Sequence, residues 1–314
     1  MDLTRRTVIV GMGALAAAPA IAKAPLTGNQ VPFTYRIKVG EIEVTAVSDG
    51  FFQAPLANFT GSDEKTAAEL VKKVHITPGK VPIPINTFVV NTKDKLYLID
   101  TGIGGAFGPA LGNLPRSLRL AGYEPAQFDA VLLTHLHIDH AGGLVANNAA
   151  VFPNAELIVA EEEAKYWLDP SFPAAAPERQ RGMVPTAVKA METYKSRTTR
   201  FSKNAEIGKG IRSVPLFGHT PGHTGYLISD GSEQLLIWAD IVHSAFLQCP
   251  MPAWGYSADV DKDTAMATRV ATFKRVAAEK ALIAGMHLPF PGFGHLVADG
   301  AAYAFVPSPW RPQV

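Results

Sequence analysis

Three histidines and one aspartate lie close together in the stretch H-L-H-I-D-H at residues 135–140. Imidazole nitrogens and carboxylate oxygens are ligands that Zn²⁺ accepts. Side chains alternate along an extended backbone, so His135 and His137 can point to the same side. Asp139 and His140 come next and can point to a second position nearby. The ligand types and their spacing together predict a metal site and not a set of surface histidines.

The segments on either side position these ligands. The apolar run Phe128–Leu133 directly precedes them and is typical of a short buried strand. Gly142 and Gly143 follow and allow a tight turn. Chemistry in sheet proteins collects at strand ends, because loops there present side chains on a rigid base. Three more predicted strands end near such residues: Ile211–Leu216 before His223, Leu235–Trp238 before Asp240, and Ala281–Ala284 before His287.

The rest of the chain predicts strands and helices in alternation, without an internal repeat. Strands are predicted over 35–39, 41–47, 86–91, 95–99 and 155–159, and helices over 62–74, 114–121, 160–168 and 264–280. Prolines between residues 78 and 84 predict a break in regular structure. These patterns predict one α/β domain, with two sheets packed face to face and helices outside.

Four motifs, H-L-H-I-D-H, T-P-G-H-T, W-A-D and G-M-H-L in that order, resemble the metallo-β-lactamase superfamily. The resemblance runs from about residue 35 to the C-terminus. The stretches 107–109, 166–168, 218–226 and 287–292 are similar to its methyl parathion hydrolase branch. The resemblance implies a four-layer αββα sandwich over residues 35–314, with a helical insert near 169–195.

The resemblance also implies two divalent metal ions, expected to be zinc. It assigns His135, His137 and His223 to one ion and Asp139, His140 and His287 to the other. It further implies that Asp240 bridges both ions together with a hydroxide and that Asp139 and Asp240 are the catalytic residues. Two divalent ions carry more charge than two carboxylates neutralise, which lowers the pKa of bound water to about 7.

Further residues are implied around the metals. Asp100 and His219 are expected to support the metal-binding loops. The predicted substrate pocket consists of Phe107, Trp167, Met183, Val184 and His243. A third pocket aromatic of the methyl parathion hydrolases is missing, and Met183 and Val184 are the nearest candidates for its place. This departure favours esters and lactones over aryl phosphotriesters.

Composition and motifs limit the function classes. The chain has 29 basic and 28 acidic residues, so no strong field recruits nucleic acid, which argues against a nuclease of the superfamily. Asp240 stands where class B β-lactamases carry a thiolate. The complete second site argues against single-iron sulfur dioxygenases, and His137 stands where flavodiiron proteins have Glu. Seven ligands also exceed the closed four-ligand set of a non-catalytic zinc module.

The sequence therefore predicts a dinuclear zinc-dependent hydrolase of small-molecule esters, lactones or phosphotriesters. An acyl-homoserine lactonase is the alternative within this class. No nucleic acid and no stable membrane insertion are expected, and a homodimer is allowed. A single cysteine, Cys249, excludes an internal disulfide and a thiolate-rich zinc site.

Residues 1–22 have the pattern of a twin-arginine signal peptide. Arg5 and Arg6 precede the apolar segment Val8–Ala18, which is too short to span a membrane. The small residues Ala20 and Ala22 form a cleavage pattern. The pattern predicts a periplasmic or secreted protein, with residues 23–34 as a loose lead-in.

Overall fold

A computed structural model of the chain describes Ala24, Leu26, Val31 and residues 33–105, 110–172 and 178–314. The predicted signal peptide and Phe107 lie outside the described residues. The fold described here is that of the compact unit Pro32–Val314. Within the described ranges, no helix has both the length and the apolar character needed to cross a bilayer.

Sixteen strands are described. They are β1 Thr34–Val39, β2 Ile42–Ala54, β3 Val81–Asn91, β4 Leu96–Ile99, β5 Ala130–Leu132, β6 Val145–Ala146, β7 Ala149–Ala150, β8 Glu156–Ala160, β9 Thr198–Phe201, β10 Glu206–Gly208, β11 Ile211–Pro215, β12 Thr224–Asp230, β13 Glu233–Ile237, β14 Leu282–Ala284, β15 Phe293–Asp299 and β16 Ala302–Pro307. One seven-stranded sheet has the order β1-β2-β3-β4-β5-β8-β9, and the second runs from β10 to β16 in sequence order.

The described α-helices lie between these strands. They are α1 Glu64–Lys73, α2 Leu114–Leu120, α3 Ile138–Ala141, α4 Glu161–Leu168, α5 Glu178–Arg181, α6 Val184–Thr193, α7 Ala245–Gln248 and α8 Lys262–Ala278. The helix α8 begins at the N-cap Asp261, whose carboxylate accepts the backbone N–H of Thr264. The α5 and α6 helices fall inside the region predicted as an insert.

Three apolar clusters define four layers. Val44, Phe88 and Leu132 of the first sheet pack with Tyr226 and Ile237 of the second, which forms the core between the sheets. A second cluster joins the outer face of the first sheet to α2, α4 and α6. The third joins the outer face of the second sheet to α8. The predicted αββα sandwich is confirmed.

The break predicted at the prolines is wrong, because β3 already begins at Val81 and contains Pro82 and Pro84. These two residues pair with Gln53 and Phe51 of β2. On the other side, β4 pairs with β3 only from Phe88 onward. A proline lacks the N–H that a ladder needs, so a stretch paired on one side tolerates it.

Parallel pairing brings the functional loops together. The β4 and β5 strands are parallel, and so are β13 and β14. Parallel neighbours end at the same edge of a sheet, so the residues that follow them lie close together. Asp100 follows β4, His135 follows β5, Asp240 follows β13 and His287 follows β14.

Candidate metal centre

Three histidine nitrogens meet at the first group of donors. His137 Nδ1 lies 3.0 Å from His135 Nε2 and 3.0 Å from His219 Nε2. These three residues form one of the clusters able to hold a metal. Nitrogens bound tetrahedrally to zinc lie about 3.3 Å apart, given Zn–N bonds of about 2.0–2.1 Å. The observed separations fit a shared cation, which would accept all three lone pairs.

His219 takes the place in this group that the sequence prediction gave to His223. Both ring nitrogens of His223 are engaged with the backbone: Nδ1–H donates to Leu216 O at 2.7 Å, and Nε2 accepts the N–H of Asp240 at 3.0 Å. No lone pair of His223 is left for a metal. The geometry therefore assigns the metal-facing role to His219 and the supporting role to His223, the reverse of the prediction.

Asp139, His140 and His287 form a second group of donors. Asp139 Oδ2 lies 3.7 Å from His140 Nε2 and 3.6 Å from His287 Nε2. His140 Nε2 is buried and has no hydrogen-bond partner among the described residues, and the same is true of Asp240 Oδ1. Buried polar atoms without partners are costly, and a cation between these groups would satisfy both.

The carboxylate of Asp240 stands between the two groups. Its Oδ2 atom lies 3.1 Å from His287 Nε2 and 3.3 Å from His140 Nε2 on one side. On the other side it lies 3.3 Å from His219 Nε2 and 3.7 Å from His135 Nε2. One oxygen within reach of both groups is the geometry that the predicted bridging role requires. The donors as a set fit two divalent metal ions.

Hydrogen bonds from behind fix the orientation of the second group. The Asp100 carboxylate accepts the Nδ1–H of His140 at 2.7 Å, and it also accepts the backbone N–H and the hydroxyl of Thr134. The Nδ1–H of His287 donates to Pro84 O at 2.6 Å. Each bond holds the tautomer that leaves Nε2 free to face a metal. Asp100 thus lies where the sequence analysis placed a supporting residue.

Glu163 joins the two metal-binding loops and was not predicted. This buried α4 side chain accepts the N–H of Leu136 and the indole N–H of Trp167 at Oε1. Its Oε2 accepts the hydroxyl of Thr220 and the N–H of Gly222. Burial raises the pKa of this carboxyl, and the four hydrogen bonds, led by that from Thr220, oppose the rise. Glu161 and Glu162 precede it, and nothing in the sequence distinguishes the three.

Burial and neighbouring charges shift the pKa values of the cluster. Burial, followed by neighbouring histidines, lowers the pKa of His135 and His137 well below the usual value. Burial raises the pKa of Asp240, but the surrounding histidines, led by His140, outweigh it and hold that pKa well below its usual range. Burial lowers the pKa of His219 too, but hydrogen bonds to Asp240 and Asp259 outweigh it and raise that pKa to about 9. His135 and His137 are therefore ready to bind a metal as neutral imidazoles, whereas a metal that binds His219 displaces a proton.

The motif region matches a known family. The family model described as the metallo-beta-lactamase superfamily matches residues 81–287. The chain belongs to the metallo-β-lactamase superfamily. The matched range includes every donor of both groups and Asp240, so the metal centre lies in the part of the chain that carries the relationship.

Three relatives of known structure or curated sequence illustrate the similarity. An N-acyl homoserine lactonase from a Bacillus species is 27% identical over 186 residues, which cover 52% of this chain and 67% of the lactonase. The crystal structure of hydrolase AbOPH in the beta lactamase superfamily is 34% identical, with a TM-score of 0.85, and the match covers 90% of this chain and 100% of that one. AidC, a dizinc quorum-quenching lactonase bound to a product, N-hexanoyl-L-homoserine, is 30% identical with a TM-score of 0.84 and the same coverage. None of the three is named a methyl parathion hydrolase, so that branch stays a prediction.

Three residues predicted to line the substrate pocket, Trp167, Met183 and Val184, instead pack in or against the apolar core. Trp167 packs its ring 5.5 Å from that of His137, but it is fully buried and supports the histidine from within the core. Val184 is buried in the same apolar cluster, and Met183 packs against it. Trp167 and Val184 therefore offer no exposed wall to a substrate, because helix packing occupies their surfaces.

His243 lies inside the metal centre and not at an exposed mouth. Its Nε2 is 3.3 Å from Asp240 Oδ2, and its ring stacks on that of Tyr256 at 3.9 Å between centroids. It forms a further possible donor group with His219 and Asp240.

Phe107 lies outside the described residues. On either side of it, the carboxylate of Asp49 accepts the backbone N–H groups of Ile103, Gly112 and Leu114.

Proposed function

We propose that this chain is a dinuclear metal-dependent hydrolase that opens lactones, with N-acyl homoserine lactones as its substrate class. The observation that carries the proposal is the donor arrangement: two groups of three side chains with Asp240 between them. A structural zinc site is normally a closed set of four ligands, so a seven-donor set with a shared carboxylate favours catalysis. We further propose zinc as the metal, which is supported by the nitrogen and oxygen donors.

Divalent ions held there supply Lewis acidity, which polarises a substrate carbonyl and lowers the pKa of water to about 7. The chain's own side chains determine how a substrate reaches this chemistry. The Asp139 side chain is 16% exposed, whereas the other six donors are at most 3% exposed. We assign the approach of the substrate to the side of the cluster where Asp139 meets solvent.

Hydrolysis breaks the acyl C–O bond of the lactone and adds water, which gives an alcohol, a carboxylate and one proton that passes to solvent. The departing alkoxide oxygen must take up one of the two protons that the attacking water loses. We assign this proton transfer to a carboxylate oxygen of Asp139, because among the seven metal-binding side chains it is the one that is exposed to solvent and can meet the substrate. Asp240 is buried and surrounded by imidazoles, so its role is to hold the two groups together.

Lactones are favoured over phosphotriesters as substrates on two grounds. The lactonase AidC, bound to a hydrolysed homoserine product, matches 90% of this chain. An aryl leaving group would use aromatic contacts, and Trp167 has no exposed surface to provide them. Missing apolar contact of this kind changes selectivity by about 1–3 kcal/mol, or tenfold to a couple of hundredfold.

We expect metal-loaded protein to hydrolyse N-hexanoyl-homoserine lactone with a kcat/KM at least about tenfold above that for an aryl phosphotriester. Aryl esters should be intermediate, because they offer an activated carbonyl without requiring the aromatic wall. Initial rates with each substrate over a concentration series give the comparison. Protein stripped with a chelator and then reloaded is the control for contaminating hydrolases. A phosphotriester preference of a hundredfold would instead support the methyl parathion hydrolase branch.

We also propose that residues 1–22 direct export by the twin-arginine route, which places the protein in the periplasm or outside the cell. Replacing both Arg5 and Arg6 with Lys keeps the charge and removes the arginine pair. We expect the precursor to accumulate in the cytoplasm, as measured by immunoblots of cell fractions. Because a general secretory signal needs only positive charge, undiminished processed protein outside the cytoplasm would contradict this route.

A further inference from the structure

A buried carboxylate outside the donor set lies directly behind His219. Asp259 stands between α7 and α8, and its Oδ1 accepts the Nδ1–H of His219 at 2.8 Å. Its Oδ2 accepts the backbone N–H of Tyr256 at 2.8 Å. Asp259 is 5% exposed, so water does not replace these bonds. The carboxylate thus has one oxygen for the histidine and one for the backbone.

A buried arginine on α8 completes the arrangement. Arg269 is 1% exposed, and its Nη2 lies 3.7 Å from Asp259 Oδ2. Its Nε donates to Ile241 O at 2.7 Å, and its Nη1 donates to Trp254 O at 2.7 Å. Ile241 directly follows the bridging Asp240. One guanidinium therefore contacts the backbone beside Asp240 and faces the carboxylate behind His219.

We propose that Asp259 and Arg269 form a positioning pair that holds His219 and the Asp240 loop in metal-binding geometry. Asp259 keeps the proton of His219 on Nδ1, which presents Nε2 to the metal. Arg269 connects that carboxylate to the segment that carries Asp240. The proposal rests on the metal-dependent function proposed above, and it assigns a role to α8 that the ligand motifs do not contain.

The two bonds of Asp259 make asparagine an informative replacement. An asparagine has one acceptor oxygen and one NH₂ donor, whereas this site presents two donors, His219 Nδ1–H and Tyr256 N–H. If the oxygen faces the backbone, the NH₂ group meets His219 Nδ1 and drives the proton to Nε2. That tautomer has no lone pair for the metal. If the oxygen faces His219, two donors oppose each other at the backbone.

The test compares Asp259→Asn with Asp261→Asn in the full chain. Asp261 is the exposed N-cap of α8, two residues away, and its carboxylate accepts Thr264 N–H, so it controls for local loop and helix effects. Zinc affinity is measured by competition with a chromogenic chelator, and Co²⁺ absorption reports the ligand geometry. We expect Asp259→Asn to lower the affinity for one of the two zinc ions by about 10–100-fold and to change the Co²⁺ absorption spectrum. Asp261→Asn should bind both ions as the wild type does.

Arg269→Lys is the second variant and carries the test if Asp259→Asn does not fold. Lysine keeps the charge but lacks the fork that reaches Ile241 O and Trp254 O together. We expect weaker binding of the same ion. Unchanged affinity and an unchanged Co²⁺ spectrum in a folded variant, even with lower stability of the metal-free protein, would overturn the positioning pair. A wild type that binds no metal would instead overturn the proposed function itself.

Discussion

Replacing Asp240 with alanine should lower kcat/KM for the preferred substrate by about 10³-fold or more. Asp240 Oδ2 lies within 3.7 Å of a nitrogen from four metal-facing histidines, and it is the one carboxylate oxygen within reach of both donor groups among the described residues. Without it, two cations would face each other with no shared anion. We therefore expect metal content to fall from two ions per chain to one or fewer, as measured by elemental analysis of loaded protein.

Asp230→Ala is the matched control for that experiment. Asp230 ends β12, which pairs with the strand that precedes Asp240, and its Oδ2 accepts the backbone N–H of Glu41 in an exposed setting. This variant should keep both ions and full activity, because its carboxylate lies outside every donor group. An Asp240→Ala protein that retains two ions and wild-type turnover would remove the basis for a bridging role.

Replacing Glu163 with alanine should lower the free energy of unfolding by about 3–5 kcal/mol. The substitution leaves four buried donors without their acceptor, and each unpaired group costs about 1–3 kcal/mol before water or relaxation compensates. Activity should fall as well, because Leu136 lies between the metal-facing residues His135 and His137. Gly222 lies in the loop that carries His219. Urea unfolding of metal-free protein measures the stability without a contribution from metal binding.

Glu162→Ala provides the comparison, since it removes a carboxylate from the adjacent position of the same helix turn. Glu162 is half-buried and not part of the four-bond arrangement, so its loss should change stability by no more than about 0.5 kcal/mol. Equal stability losses in the two variants would mean that Glu163 acts through helix propensity and charge, and not through its contacts with the metal-binding loops.

Sequence reasoning located the centre because its signal is local. Ligand-type residues at the ends of predicted strands pointed to His135, His137, His140 and Asp240, and strand ends are where a sheet presents side chains. The choice between His219 and His223 was different, because both belong to one short loop. It depends on which ring reaches Leu216 O and the N–H of Asp240 in the folded chain. No local pattern contains that information.

The supporting roles of Glu163 and Asp259 could not be predicted from the sequence for a related reason. Glu163 occurs in a run of three glutamates, and Asp259 lies far in sequence from the histidine that it contacts. Their burial follows from how helices and loops pack on the sheets, which a single sequence does not encode locally. Trp167 illustrates the same limit, since an aromatic residue beside a metal ligand can line a pocket or fill the core.

The four bonds at Glu163 also bear on how the protein can be altered by recombination. Through these bonds α4 contacts both the loop after β5 and the loop after β11, although the three segments are not adjacent in the sequence. The three segments must therefore match one another in any recombined protein. A chimera that took α4 from a relative without a glutamate at position 163 would keep the backbone N–H donors of Leu136 and Gly222 but lose their acceptor. A crossover between the loop after β5 and α4, or between α4 and the loop after β11, would divide these contacting segments between two parents. A crossover before β5 or after the loop that follows β11 would leave them together.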